Sequence, residues 1–193
     1  MVQHLVATSK PFNHTSRHFL LDRYIVDALS ARGDSVSVFD IVQRHHGVPF
    51  YTGDISEQDL ISNALRKVCV GLMPFPHQFY SKYFSEWFNV YNPHRFPTSR
   101  TGRRYIIQVN VEGTSAAIAA AITNKARKLV FTSSAGIIFD GSNIIGADER
   151  LPAPEKAMDE YNESKAKAEE AVLAANGKSG LLTVARRPAG IYG

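Results

Sequence analysis

Lys128-Leu129-Val130-Phe131-Thr132-Ser133-Ser134-Ala135-Gly136, followed after a loop by Tyr161-Asn162-Glu163-Ser164-Lys165, is the stretch whose reading decides the fold. The apolar run from Leu129 predicts a buried strand over Lys128–Ser134. The Ala-, Glu- and Lys-rich segment from Tyr161 to about Ala175 predicts a helix. Tyr161 and Lys165 are four apart and therefore share one helical face. A phenol with a pKa of about 10 is a poor base at neutral pH. A neighbouring ammonium favours the phenolate and brings it toward useful acid–base range. A hydroxyl from the strand end, Ser134 or Ser133, can hold a substrate oxygen beside that phenol. Tyr-x-x-x-Lys by itself is more often a helix-start tyrosine with a solvated lysine. The strand-terminal serine pair upstream is what gives this one its weight.

Working outward, Gly177–Gly180 reads as a turn and Leu181–Arg186 as a last strand, after which Arg187-Pro188-Ala189-Gly190-Ile191-Tyr192-Gly193 ends the chain. Upstream, Asn110-Val111-Glu112-Gly113-Thr114 leads into an Ala-rich helix over 115–125, whose small residues permit close packing on a sheet. Further back, Ser35-Val36-Ser37-Val38-Phe39 alternates as a strand and ends at Asp40. Before it, Leu21, Ile25, Ala28 and Leu29 suit one helical face, with Arg32-Gly33 as the stop. Val48–Tyr51 is a short extended piece followed by the turn Gly53-Asp54. Ser56-Glu57-Gln58-Asp59 has the form of a capping box opening a helix to about Lys67, with Leu60, Ile61 and Leu65 buried. Val68-Cys69-Val70 starts another buried strand, and Gln3–Thr8 suits a short first one. Strands and helices alternating through short loops predict an α/β fold with a doubly wound parallel sheet.

Composition narrows the function classes. The chain has 193 residues, 44% hydrophobic, and a net charge of +4, enough apolar material for one domain. The basic residues are scattered, and the densest cluster, Arg100, Arg103 and Arg104, forms no patterned face, so nucleic acid is not an expected partner. The single cysteine, Cys69, excludes an internal disulfide and a cysteine-based zinc cage. His45-His46 are adjacent, point oppositely if extended, and predict no shared metal. No apolar run approaches the ~20 residues of a membrane span, and the N-terminus lacks a signal-peptide layout. The expected location is intracellular, either cytoplasmic or associated with the endoplasmic reticulum.

One region breaks the pattern. Between Pro74 and Tyr105 lie four prolines and ten of the chain's twenty aromatics, with no period of 2.0 or 3.6. A long unpatterned stretch is foreign to a compact core. With Lys82, Arg95 and Arg100 it admits peripheral contact with a lipid surface.

Thr132-Ser133-Ser134-Ala135-Gly136, Tyr161-Asn162-Glu163-Ser164-Lys165 and Arg187–Gly193 together resemble the extended short-chain dehydrogenase/reductase superfamily. Asp148-Glu149-Arg150-Leu151-Pro152 and its surroundings resemble the 3β-hydroxysteroid dehydrogenase/isomerase family, nearest its fungal sterol-4α-carboxylate 3-dehydrogenases (decarboxylating). The likeness covers roughly 23–68 and 109–193. It implies a Rossmann-like NAD-binding domain acting on the 3β-hydroxyl of a sterol or steroid in sterol biosynthesis, and it admits a homodimer. By resemblance Ser134 is the catalytic serine and Tyr161 the general acid/base. Lys165 tunes the tyrosine and binds the nicotinamide ribose. Asn110 supports the site, Pro188 to Ile191 lie beside the nicotinamide, and Asp54 contacts the adenine. Asp40 also has a physical reading: a carboxylate ending the second strand accepts hydrogen bonds from a ribose diol and repels a 2′-phosphate. Ile41 stands where a basic residue would serve NADP. NAD is expected over NADP. The structural alternatives are that Asp40 caps a turn and that Asp54 is a turn residue. A nucleotide-sugar epimerase or dehydratase would use the same triad.

Three departures qualify the resemblance. The glycine-rich phosphate turn would fall at 17–22, where Arg17, Phe19 and Asp22 take the glycine positions. The fourth strand and its loop are expected to be replaced by the aromatic stretch at about 71–107. The chain is expected to lack the C-terminal substrate lobe, leaving residues 1–193 a partial domain. The abrupt edges suit an incorrect first exon, a retained intron and a truncated end, or else a diverged, noncatalytic binding protein. The chain as written is expected to be impaired as an enzyme. Glu169 and Glu170 are expected as solvated helix charges.

Overall fold

The computed structural model describes residues 3–7, 20–66, 70–73, 104 and 106–189. Arg17, Phe19, the aromatic stretch from Pro74 to Arg103 and Gly190–Gly193 lie outside the described residues, and so do the expectations attached to them.

Among the described residues, six strands form one parallel sheet. They are β1 (Gln3–Ala7), β2 (Ser35–Asp40), β3 (Phe50–Thr52), β4 (Val70–Met73), β5 (Lys128–Thr132) and β6 (Leu182–Arg186), in the order β3-β2-β1-β4-β5-β6. Register runs through Val6↔Val38, Val6↔Leu72, Leu72↔Val130 and Val130↔Val184. This is a Rossmann-like doubly wound α/β fold. The order reverses between β1 and β4, and in such sheets ligands bind outside the carboxyl ends of the strands at that reversal.

The sheet's two faces sort by the alternation of strand side chains. Val6, Val36 and Val38 pack with Val26, Ile25 and Leu29 of helix α1 (Leu20–Ala31). Leu5, Phe39, Leu129 and Phe131 face the other way, toward helices α2 (Gln58–Leu65), α3 (Gly113–Thr123) and α4 (Glu160–Ala174). The face of α1 is rotated from the one expected: Val26 is buried and Ala28 exposed, because Asp22, Ile25, Val26 and Leu29 form the inward stripe. On α2, Ile61, Ala64 and Leu65 are buried while Leu60 is exposed.

Two further expectations are corrected. The capping box does not form. Glu57 is the N-cap of α2 with no side-chain bond, and Ser56 instead donates both its N–H and its hydroxyl to Asp54 Oδ1, at 3.0 and 2.8 Å. The earlier carboxylate captured the hydroxyl first. The fourth strand is not replaced: Val70–Met73 fills the slot between β1 and β5. Regular structure also resumes before 109, in a π-helical turn over Gln108–Glu112 that runs into α3.

The small residues of α3 let it lie close to its neighbours, with Ala117, Ala120 and Ala121 almost wholly buried. Gly113 shows how close. A Cβ there would stand 2.6 Å from Ile55 Cγ2. Ile55 is buried and β-branched, so its methyl has little room to retreat. Gly113→Ala is expected to cost about 1–3 kcal/mol despite the better helix former. A urea unfolding midpoint equal to or above the wild type's would contradict that packing.

Candidate active site

The carboxyl edge of β5 carries the first group of side chains. Past Thr132 the chain stays extended through Ser133 and Ser134 and enters a 3₁₀ turn over Ala135–Ile138. Both serines are fully buried, and Ser134 Oγ caps the turn by accepting from Gly136 N–H at 3.1 Å. Gly136 permits close contact with α4, since a Cβ there would lie 2.6 Å from Asn162 Oδ1. The loop after β6 pins this turn from the other side. Ser133 N–H donates to the Arg186 carbonyl at 2.6 Å, and Ala135 N–H to the Pro188 carbonyl at 3.1 Å.

Helix α4 brings the second group. Asp159 is its N-cap, accepting from Asn162 N–H at 2.7 Å, with Glu160 and Glu163 in the favourable first turn. That cap places Tyr161 in the first turn, nearly buried, and Lys165 one turn on and fully buried. Lys165 Nζ donates to the Thr132 carbonyl at 2.7 Å and sits 4.1 Å from the centroid of the Phe131 ring. Burial pushes the Lys165 ammonium down to about 7 from its ordinary 10.5, and the nearby Glu169 charge opposes the shift. Asn110, in the π-helical turn, donates to Ser164 Oγ at 2.8 Å, and Ser164 in turn donates to the Tyr161 carbonyl at 2.7 Å. Such turns recur at functional sites because they re-aim side chains. Asn110 thus braces the first turn of α4 from the π-helical turn that precedes α3.

Glu169 is not a solvated charge. It is 4% exposed and paired with Arg187, whose Nη2 and Nε donate to its carboxylate at 2.6 and 2.9 Å. Glu170 is exposed, as expected. The signal for Glu169 was present in the spacing, since Tyr161, Lys165 and Glu169 lie at successive intervals of four on one face.

The remaining candidates lie across the sheet. Asp40, at the end of β2, is buried and accepts from Ile41 N–H at 2.6 Å and Val42 N–H at 3.4 Å. Its other oxygen receives Arg44 Nη1 at 2.7 Å. The turn-capping alternative for Asp40 is therefore realised, with a cation added by Arg44. Gly53 N–H donates to the Asp40 carbonyl at 3.1 Å, which brings Asp54 beside it. Asp40 and Asp54 thus form one group, and Ser134, Tyr161, Lys165 and Pro188 another. Both lie at the carboxyl edge, separated by three inter-strand spacings, about 14 Å. That span suits an elongated ligand laid across the reversal point. Between them Asp22 occupies the first turn of α1, buried at 2% exposure, where a helix N-terminus would otherwise favour a bound anion.

A parallel sheet ordered 3-2-1-4-5-6 with serine, tyrosine and lysine gathered at the end of its fifth strand is the extended short-chain dehydrogenase/reductase arrangement. A short-chain dehydrogenase/reductase superfamily protein of Agrobacterium tumefaciens, solved with bound NAD, superposes with a TM-score of 0.70 at 22% identity, covering 95% of this chain and 48% of that one. The model of the 3-beta hydroxysteroid dehydrogenase/isomerase family matches residues 97–193, and the chain belongs to that family. Sterol-4-alpha-carboxylate 3-dehydrogenase of Candida albicans is 54% identical over 86 residues, 45% of this chain and 25% of that protein. The decarboxylating human enzyme of the same name is 34% identical over 176 residues, 90% of this chain and 42% of that protein. The chain therefore spans less than half the length of the curated relatives it matches. Among the described residues, no helix is long and apolar enough to cross a membrane.

Proposed function

We propose that this chain is the cofactor-binding part of an NAD-dependent dehydrogenase acting on the 3β-hydroxyl of a sterol, of the kind that oxidises 4α-carboxysterols. The observation that carries the reading is the convergence of Ser134, Tyr161 and Lys165 at the end of β5. The sterol comes from the names of the curated relatives, which favour it over a nucleotide sugar.

The residues present fit the cofactor at its two ends. Asp40 and Asp54 offer acceptors at the adenosine end, and Lys165 and Pro188 line the nicotinamide end. Bound there, NAD would supply the hydride acceptor for the substrate carbon. Tyr161 takes the hydroxyl proton at its phenolic oxygen, Ser134 holds the substrate oxygen beside it, and the Lys165 charge one turn away favours the phenolate. In a 4α-carboxysterol the product ketone lies β to the carboxylate and provides the electron sink for loss of carbon dioxide. Arg44 softens the repulsion Asp40 would exert on a 2′-phosphate, so the preference for NAD is expected to be moderate. Asp22 opposes the diphosphate between the two ends, so binding is expected to be weaker than a glycine-lined turn would give.

Calorimetric titration with NAD, and NADH absorbance with a 4α-carboxy-3β-hydroxysterol, test the reading. Binding that Asp40→Ala weakens by about tenfold, roughly one lost charge-assisted hydrogen bond, is the expected result. Oxidation of a nucleotide sugar but not of the sterol would sink the substrate assignment.

A further inference from the structure

Arg187 stands at a junction that the proposed mechanism leaves unused. Its backbone lies between Arg186 and Pro188, the residues whose carbonyls hold Ser133 and Ala135, so it flanks both anchors of the Ser134 turn. Its side chain reaches the opposite way. One edge of the guanidinium grips Glu169 on α4 through Nε and Nη2. The remaining nitrogen, Nη1, donates to the Leu151 carbonyl at 3.1 Å and the Glu149 carbonyl at 3.5 Å. Arg187 and Glu169 are 19% and 5% exposed at their side chains, so the pair sits largely out of water. One planar fork therefore joins β6, α4 and the 149–151 loop, a task suited to arginine and not to the point charge of lysine.

We propose that the Arg187–Glu169 pair is a positioning clamp that sets Ser134, carried by its pinned turn, against Tyr161 and Lys165, carried by α4. Neither residue touches substrate. Glu169 acts through the helix it anchors and through its charge on Lys165, and Arg187 acts through Glu169 and the turn. Among the described residues, the groups facing the Lys165 ammonium include the Thr132 carbonyl and Phe131 ring from β5, with Tyr161 and Glu169 one turn to either side on α4. Glu169 supplies a negative charge to that set, and Arg187 tempers it. For its catalytic consequence the clamp rests on the dehydrogenase reading; for its geometry it does not.

The test follows Lys165 in the purified chain carrying isotope-labelled lysine, its side-chain NMR signal assigned with Lys165→Arg. Glu169→Gln removes the anion and is expected to move the Lys165 midpoint to lower pH. Arg187→Gln leaves the anion unshielded and is expected to move it to higher pH, each shift being about one unit. Opposite shifts distinguish a clamp acting on the site from a merely structural bond. No shift in Glu169→Gln, or shifts in the same direction, overturn the proposal. Should Arg187→Gln fail to fold, Arg187→Lys decides in its place. It keeps the cation and so the midpoint, but loosens the fork, and kcat for sterol oxidation is expected to fall about 10- to 100-fold at nearly constant KM. If the unaltered chain neither binds NAD nor oxidises the sterol, the dehydrogenase reading fails, while Glu169→Gln still decides the clamp by titration. A wild-type kcat in Arg187→Lys, or an unmoved midpoint in Glu169→Gln, would refute it.

Discussion

Tyr161→Phe is expected to lower sterol-dependent NADH formation by about 10²- to 10⁴-fold, the range attached to a positioned acid–base group. NAD affinity should stay within about twofold and the unfolding midpoint should change little, since losing one hydroxyl costs about 1 kcal/mol. The substitution removes the phenolic oxygen and leaves the ring in its nearly buried place in the first turn of α4, with the Asp159 cap and the Asn110–Ser164 brace intact. Ser134 and Lys165 remain where they are. Any loss of rate therefore reports on the proton at one atom and not on the scaffold. NADH formation by Tyr161→Phe at more than a tenth of the wild-type rate would remove Tyr161 from the chemistry and leave the serine–lysine pair without an acid–base partner.

How much of this site could be read from the sequence depended on how local each interaction is. The alternation over Ser35–Phe39 follows from the geometry of a strand, and the structure sets Val36 and Val38 on one face and Phe39 on the other. Tyr161 and Lys165 were legible for the same reason, being four apart on a helix with their serine at the end of a recognisable strand. The misreadings have separate causes. The capping box around Ser56 failed because Asp54, two residues earlier, offered the serine a competing acceptor. Strand β4 was obscured because Val70-Gly71-Leu72-Met73 is short, lacks alternation and runs straight into proline. Glu169 looked solvated because its partner, Arg187, lies 18 residues away on another element. Only the folded chain brings the two together. Asp40 shows the intermediate case: its place at the strand end was legible, while the Arg44 cation on its second oxygen needed the turn between them.

Lys165→Met is expected to stabilise the fold while abolishing turnover. In the folded chain the ammonium is wholly buried and titrates at about 7, whereas the unfolded chain titrates at the ordinary 10.5. Between those values the unfolded chain binds a proton that the folded chain does not, so this residue makes stability rise with pH across that window. Below it both states are protonated and the folded state bears the full cost of the buried charge, on the order of a few kcal/mol. Above it the cost is gone. Methionine fills a similar volume with no charge to desolvate, and among the interactions it forfeits are the bond to the Thr132 carbonyl, the contact with Phe131 and the attraction of Glu169. The variant should therefore gain most over wild type at about pH 6 and lose that advantage by about pH 10, as urea unfolding of the pair at both pH values would show. Titrating groups not coupled to Lys165 are common to both proteins and cancel in the difference. An advantage that grew with pH would mean that the lysine is held charged by its partners and is not strained by burial. The expected sign carries a functional meaning, since a side chain that weakens the fold at neutral pH has no structural reason to be there. Its position one turn from Tyr161 supplies the other reason, and the loss of turnover in the more stable variant is the form in which that trade should be measured.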